Sequence, residues 1–412
     1  MDRAQLSRIA DGLMVAVAVA LPWSTSASGI LLVLWLLALI PTLDWPSVRR
    51  ELLTPAGGLP VLLVLLGVLG MAWAEVSLVE RWKGLDGFVK LLVIPLLMVQ
   101  FRRSGNAHRV FIGFLGACTA LLIASWGVTI WPNLPKGSTD LGVAVKSYIV
   151  QSAEFTICAA GLLYFAGEAR RDRRWALMAG LIVLSLAFLE DIFFITTSRT
   201  ALVVIPALIL LYGVRFYRWK GAFAAVGAGL VLAAILWAVS PLLRDRVTNI
   251  YLEARSYEIH NNATPTGERI MYWTRSLRFV ENAPLIGHGT GSITEMFRRA
   301  AVGHSGARAE ISTNPHNQTF AIAIQLGVIG AAVLWAMWTS HFLLFCGNGF
   351  LGWVGLTIIT QNVIGSLFNS FLFDFTEGWL YVLGVGVAAG AVLHQVDARS
   401  QKNSANTEMS RT

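Results

Sequence analysis

Apolar residues run along this chain in long, nearly uncharged blocks separated by short polar segments. Twelve blocks read as transmembrane helices, which need roughly 20 predominantly apolar residues each: 10–26, 28–43, 56–74, 85–100, 110–131, 147–167, 175–196, 199–214, 221–239, 318–340, 348–370 and 377–395. A membrane β-barrel would alternate apolar and polar positions instead. The pattern therefore predicts an all-α, polytopic integral membrane protein. Its parts are a first bundle over 1–239, a loop domain over 240–317, a closing bundle over 318–395 and a polar tail over 396–412, DARSQKNSANTEMSRT, whose composition predicts disorder. The first block has a second reading as a signal peptide, since LMVAVAVAL precedes the small-residue stretch STSAS. Arg3 and Arg8 make a weak n-region, which favours the helix.

Composition agrees with the pattern. The 412 residues are 55% hydrophobic and 14% charged, and fifteen tryptophans suit interfacial belts. The net charge of +8 is not a nucleic-acid signal, because no basic run interleaves with aromatics. It follows from membrane topology and points to an anionic ligand. Cys118, Cys158 and Cys346 lie in or beside apolar blocks, with neither disulfide nor metal spacing.

Lysine and arginine set the orientation. With the N-terminus inside, cytoplasmic segments hold seventeen of them, among them Arg102, Arg103, Arg170, Arg171 and Arg215; Arg411 is another. Short outer loops hold five: Arg81, Lys83, Lys136, Lys146 and Arg199. This is the positive-inside bias. The long outer segment 240–317 escapes that rule and carries nine arginines, including Arg244, Arg255, Arg269, Arg275 and Arg308. Two helices are predicted there, at 242–260 and 268–281, then a turn at ENAPLIGHGTG and a short helix near 291–302. Gly287, Gly289 and Gly291 do not make a nucleotide loop, because no strand precedes them and no lysine follows.

Ionisable residues inside spans are costly and mark function. Lys90, Glu154, Glu190, Asp191 and Arg199 all fall in the outer half of the predicted bundle. A transporter would place such groups near the midplane. For Lys90, snorkelling to the interface is an equal reading. In TTSRTALVV, Ser198 can cap a helix with Arg199 in its first turn. There a cation opposes the helix dipole unless an anion binds beside it. An ion pair with Glu190 or Asp191 is the plainer alternative. In TNPHNQ, Asn314 reads as an N-cap and Pro315 as the first helical residue, which puts His316 in the first turn, where the dipole disfavours protonation.

Three stretches, TSRTAL, GERIMYW at 267–273, and PLIGHG followed by TNPHNQ, together resemble the O-antigen ligase and polymerase family of membrane glycosyltransferases. The resemblance covers roughly 190–340 by motif and the rest by layout alone. It implies a GT-C-like enzyme of the bacterial inner membrane, with its active site facing the periplasm. The implied donor is a polysaccharide on undecaprenyl pyrophosphate, and the ligase acceptor is the lipid A-core oligosaccharide. The family's ligases are taken to need no metal, so no cofactor is expected; membrane lipids are expected partners and nucleic acid is not.

On that reading His316 is the general base. Arg199 and Arg269 clamp the departing pyrophosphate, and Arg255, Arg81 and Lys83 are secondary phosphate contacts. Trp273 lies one helical turn from Arg269 and packs at the membrane or against sugar. A single in-line displacement inverts the anomeric carbon; no carboxylate pair is placed for retention. His260, His288 and His304 share the outer loop without a zinc spacing. Polymerase, a ligase acting on protein hydroxyls, and a lipid or polysaccharide transporter are the rivals.

Overall fold

The computed structural model describes residues 2–409 except 135, 139, 141, 197 and 348, and only the backbone of 405–409. The described residues form helices and connecting turns, without strands. The first half contains α1 (Arg3–Ala20), α2 (Thr25–Leu39), α3 (Trp45–Leu52), α4 (Pro55–Gly70), α5 (Leu78–Val89), α6 (Val93–Arg103), α7 (Ala107–Ile130), α8 (Tyr148–Arg171) and α9 (Trp175–Glu190). Then follow α10 (Ala201–Val239), α11 (Pro241–His260), α12 (Pro265–Asn282) and α13 (Ile293–Ala301). The chain closes with α14 (Gln318–Phe345), α15 (Phe350–Gly365) and α16 (Phe375–Met409). Among the described residues, eight helices are long and apolar enough to cross a membrane. A ninth span arises if α3 and α4, bent by 84°, count together.

Helix starts follow local chemistry. Ser24, Thr54, Ser147, Ser240, Thr264 and Asn317 each accept a hydrogen bond from an orphan first-turn N–H. Ser77 and Glu80 form a capping box at α5. The long α10 turns back on itself. Arg218 sits at φ +56°, and a Cβ on Gly213 would stand 2.4 Å from the Gly221 carbonyl oxygen, so the two arms touch backbone to backbone. The Ser240 hydroxyl then donates to the Phe193 carbonyl (3.2 Å), back beside the start of α10. This one bent element, a single candidate span, covers the stretches expected as two spans at 199–214 and 221–239.

Breaks inside the bundle are satisfied by specific partners, as an apolar setting requires. Pro60 in α4 has no N–H to offer the Ala56 carbonyl. His341 Nε2 donates there instead (2.8 Å), while its Nδ1 accepts from the Tyr381 hydroxyl (2.7 Å). At Gly327, φ +63°, α14 is interrupted. The turn after α12 docks on this gap. His288 N donates to the Ile324 carbonyl and Gly289 N to that of Gln325, while Val328 N reaches the Pro284 carbonyl (2.8, 2.9 and 2.8 Å). The glycine-rich turn is therefore a latch on α14, and its glycines allow the close approach: a Cβ on Gly287 would lie 2.5 Å from the Gln325 backbone.

The two ends of the bundle differ. At one end Arg102 joins Glu51 (2.9 Å) and Asp397 (2.8 Å), Arg103 pairs with Asp44, and Arg215 donates to the Gly347 carbonyl. At the opposite end stand α11, α12, α13 and His316. Disorder is expected over 396–412, but α16 continues to Met409. The Arg102–Asp397 pair anchors the start of this extension, whose lysine, glutamine and alanine residues favour helix. Arg411 lies outside the described residues.

Gly287→Ala should lower stability by more than about 1 kcal/mol, because it adds a clash to a left-handed backbone. Thermal unfolding in detergent checks this, with Gly180→Ala, where nothing lies within 4 Å of the added methyl, showing no loss.

Candidate active site

His316 is placed by an Asx turn. Asn314 Oδ1 accepts from the His316 backbone N–H (2.8 Å) and from the Ser370 hydroxyl (2.6 Å), and His316 takes φ +52°. With the Asn314 side chain so engaged, the N-cap passes to Asn317 and α14 begins at Gln318. His316 therefore precedes the helix instead of lying in its first turn. A left-handed histidine is uncommon, and strained backbone of this kind clusters at functional sites.

Three neighbours hold His316, two at its ring and one at its backbone. It stacks on Tyr272 with centroids 5.6 Å apart and planes 18° apart. The Trp273 indole donates to the His316 carbonyl (3.3 Å). Asn369 fixes the ring's tautomer. Its amide nitrogen donates to Asp374 Oδ2 (2.7 Å), so its oxygen faces His316 Nδ1 (2.9 Å) and accepts the Nδ1 proton. Nε2 is then the lone-pair nitrogen. Lys90 steadies this loop by donating to the carbonyls of Asp374 (2.8 Å) and Phe373 (3.2 Å). Burial, with Arg269 adding to it, lowers the His316 pKa below its ordinary 6.5, against the pull of Asn369. The ring is neutral at pH 7, as the sequence suggested, but the causes are burial and a neighbouring cation, not a helix dipole.

Arg199 also differs from expectation. Ser198 Oγ accepts from Ala201 N (3.1 Å), but the N-cap of α10 is Thr200, the helix starts at Ala201, and Arg199 lies in the turn before it. Thr197, part of the TSRTAL stretch, lies outside the described residues. The alternative pairing with Glu190 or Asp191 does not form. Glu190 accepts from the Trp126 indole (3.1 Å), and Asp191 from Ser125, Gln151 and Thr196. In its turn Arg199 faces α11 and grips Glu253 with both terminal nitrogens (3.0 and 2.8 Å), while also donating to Thr266 (3.0 Å). Its Nε is buried without a partner.

Arg269, on the first turns of α12, completes the group. Its charge is disfavoured by burial first and by Arg199 second, with Tyr148, Glu253 and Glu268 acting the other way. It has no hydrogen bond among the described residues. Arg269 thus lies within electrostatic reach of both the His316 imidazole and the Arg199 guanidinium.

The remaining candidates are elsewhere or otherwise engaged. Arg81 closes the turn before α5, donating to the carbonyls of Met71 (2.9 Å) and Val76 (3.0 Å). Lys83 and Arg255 are exposed, and Arg255 sits roughly 200° around α11 from Glu253. His288 is hydrogen-bonded to the Phe279 carbonyl (2.8 Å). Sequence reasoning missed Glu253, Thr266, Tyr272, Asn369 and Asp374. The available signal was the polar pair and lone acid in FNSFLFDF, buried in an otherwise apolar run.

The fold and this cluster define a class: a many-helix membrane protein with two arginines and a half-buried histidine grouped at one end. Residues 184–335 match the family model described as O-antigen ligase. The match takes in Arg199, Arg269 and His316 but ends before Asn369 and Asp374. No curated protein matches the chain.

Glu253→Ala should cost about 1–3 kcal/mol, by leaving a partly buried guanidinium unpaired. Thermal unfolding in detergent reads this loss, and Glu253→Gln, which keeps a hydrogen-bond acceptor, should lose less.

Proposed function

We propose that this protein is a ligase that transfers polysaccharide from undecaprenyl pyrophosphate to the lipid A-core oligosaccharide. The active site then faces the periplasm of the bacterial inner membrane. The observation that carries the reading is the sequence of neighbours His316, with Nε2 unprotonated, then Arg269, which acts on it, then Arg199, which acts on Arg269. The family match over 184–335 and the gathering of arginines at the opposite end of the bundle support it.

The chemistry follows from the residues. His316 Nε2 takes the proton of the acceptor hydroxyl as its oxygen bonds to the anomeric carbon. The bond from that carbon to the pyrophosphate oxygen breaks, and its electron pair leaves with the pyrophosphate. Arg269, which has no hydrogen-bond partner to give up, and Arg199, which exchanges part of its Glu253 contact, stabilise the charge that develops there. Asn369 and Asp374 keep Nδ1 protonated, so that Nε2 is always the acceptor. One displacement at one face inverts the anomeric carbon. The bundle is GT-C-like in this reading, with α11 and α12 as the outer clamp.

His316→Ala should abolish transfer in proteoliposomes while leaving donor binding in place; Arg199→Ala and Arg269→Ala should weaken donor binding. Substantial turnover by His316→Ala would remove the base assignment. Cells lacking the protein should accumulate polymer on its lipid carrier and show a bare lipid A core; a single repeat unit on the core would instead mark a polymerase.

The pH profile follows with its sign. Protonation removes the base, and the folded His316 pKa lies below 6.5. At saturating donor the rate should therefore stay level as pH falls to 6.5 and drop only below it. Arg269→Gln removes a cation that opposes protonation, so the drop should move to higher pH.

A further inference from the structure

Far from His316, the end of α8, the start of α9 and the bend of α10 enclose a cleft of about 690 Å³, within the range of small-ligand sites. Its back wall is aromatic and rigid. Tyr212 and Phe216 stand 4.5 Å apart and both pack on Trp353, at 5.5 and 5.6 Å. Leu163, Met178 and Ile182 continue the wall toward the middle of the bundle. At the mouth stand Arg170 and Arg171, which both act electrostatically on the Tyr212 phenol.

Arg170 and Arg171 make no ion pair and no side-chain hydrogen bond among the described residues, whereas Arg50, Arg102 and Arg103 at this end each contact a carboxylate. Glu168 is the one acid in the wall, and it and Arg171 both act electrostatically on the Tyr164 phenol. The cleft therefore carries two arginines against one glutamate, a net positive charge, above an apolar floor where Leu163 is 38% and Trp175 58% exposed.

We propose that this cleft binds an anionic phospholipid, with its phosphate on Arg170 and Arg171 and its acyl chains along Leu163, Met178 and Ile182. A free anion would leave the apolar floor wet, and a zwitterionic lipid would leave the arginines uncompensated. Basic pockets between transmembrane helices take acidic headgroups in this way.

The test uses the full chain, delipidated in detergent, with phosphatidylglycerol, phosphatidylcholine or inorganic phosphate added. Phosphatidylglycerol should raise the melting temperature by several degrees and remain as one bound copy in native mass spectra. The Arg170→Gln/Arg171→Gln variant should lose at least tenfold in that occupancy, and Met178→Trp, which keeps both charges but fills the floor, should lose it too. Equal effects of phosphatidylcholine, full reproduction by phosphate, or undiminished occupancy in Met178→Trp would each overturn the proposal. Met178→Trp also decides the matter if the arginine variant fails to fold.

Discussion

Two arginines and one carboxylate meet where the membrane bundle joins its outer helices, and the site is arranged around that imbalance. Glu253 satisfies Arg199 through two hydrogen bonds and thereby ties α11 to the turn before α10. Arg269 is left beside them, partly buried, its charge disfavoured and its donors unused. Buried cations without partners are expensive, so natural proteins keep them where a ligand supplies the anion. The same positive charge helps hold His316 in its neutral form. In the proposed function, anion recognition and the neutral state of the base are therefore two effects of one electrostatic arrangement.

The supporting structure keeps that arrangement in place through specific contacts. His316 is fixed by stacking, by its backbone and by the Asn369–Asp374 chain. The chain in turn rests on Lys90, from a different helix. The docked turn of residues 284–289 holds α12, with Arg269, against the interrupted α14 that follows His316. Each break in helical hydrogen bonding near the site is matched by a named partner, which lets irregular backbone persist beside an apolar bundle.

Much of this was legible in the sequence, for physical reasons. Long apolar blocks leave only the helical solution, so the helices of the outer segment and most spans fall near their predicted limits. Arg199, Arg269 and His316 stood out because each charge or imidazole carries a cost at its position. The local geometry was less accessible. Asn314 can cap a helix or close an Asx turn, and only the Ser370 contact from a distant loop decides for the turn. Arg199 could reach acids on either side, and a residue fifty-four positions later captured it. Asn369 and Asp374 look like the frayed end of an apolar run until folding brings them to the imidazole. Pairings across such distances in the chain leave no periodic trace.

The most direct measurement is a cryo-EM structure of the protein with an undecaprenyl-pyrophosphate-linked glycan bound in lipid nanodiscs. The account predicts the diphosphate within hydrogen-bonding distance of both Arg269 and Arg199, with the anomeric carbon between it and His316 Nε2. A diphosphate seated elsewhere, with the Arg199–Glu253 pair undisturbed and Arg269 still without a partner, would contradict it.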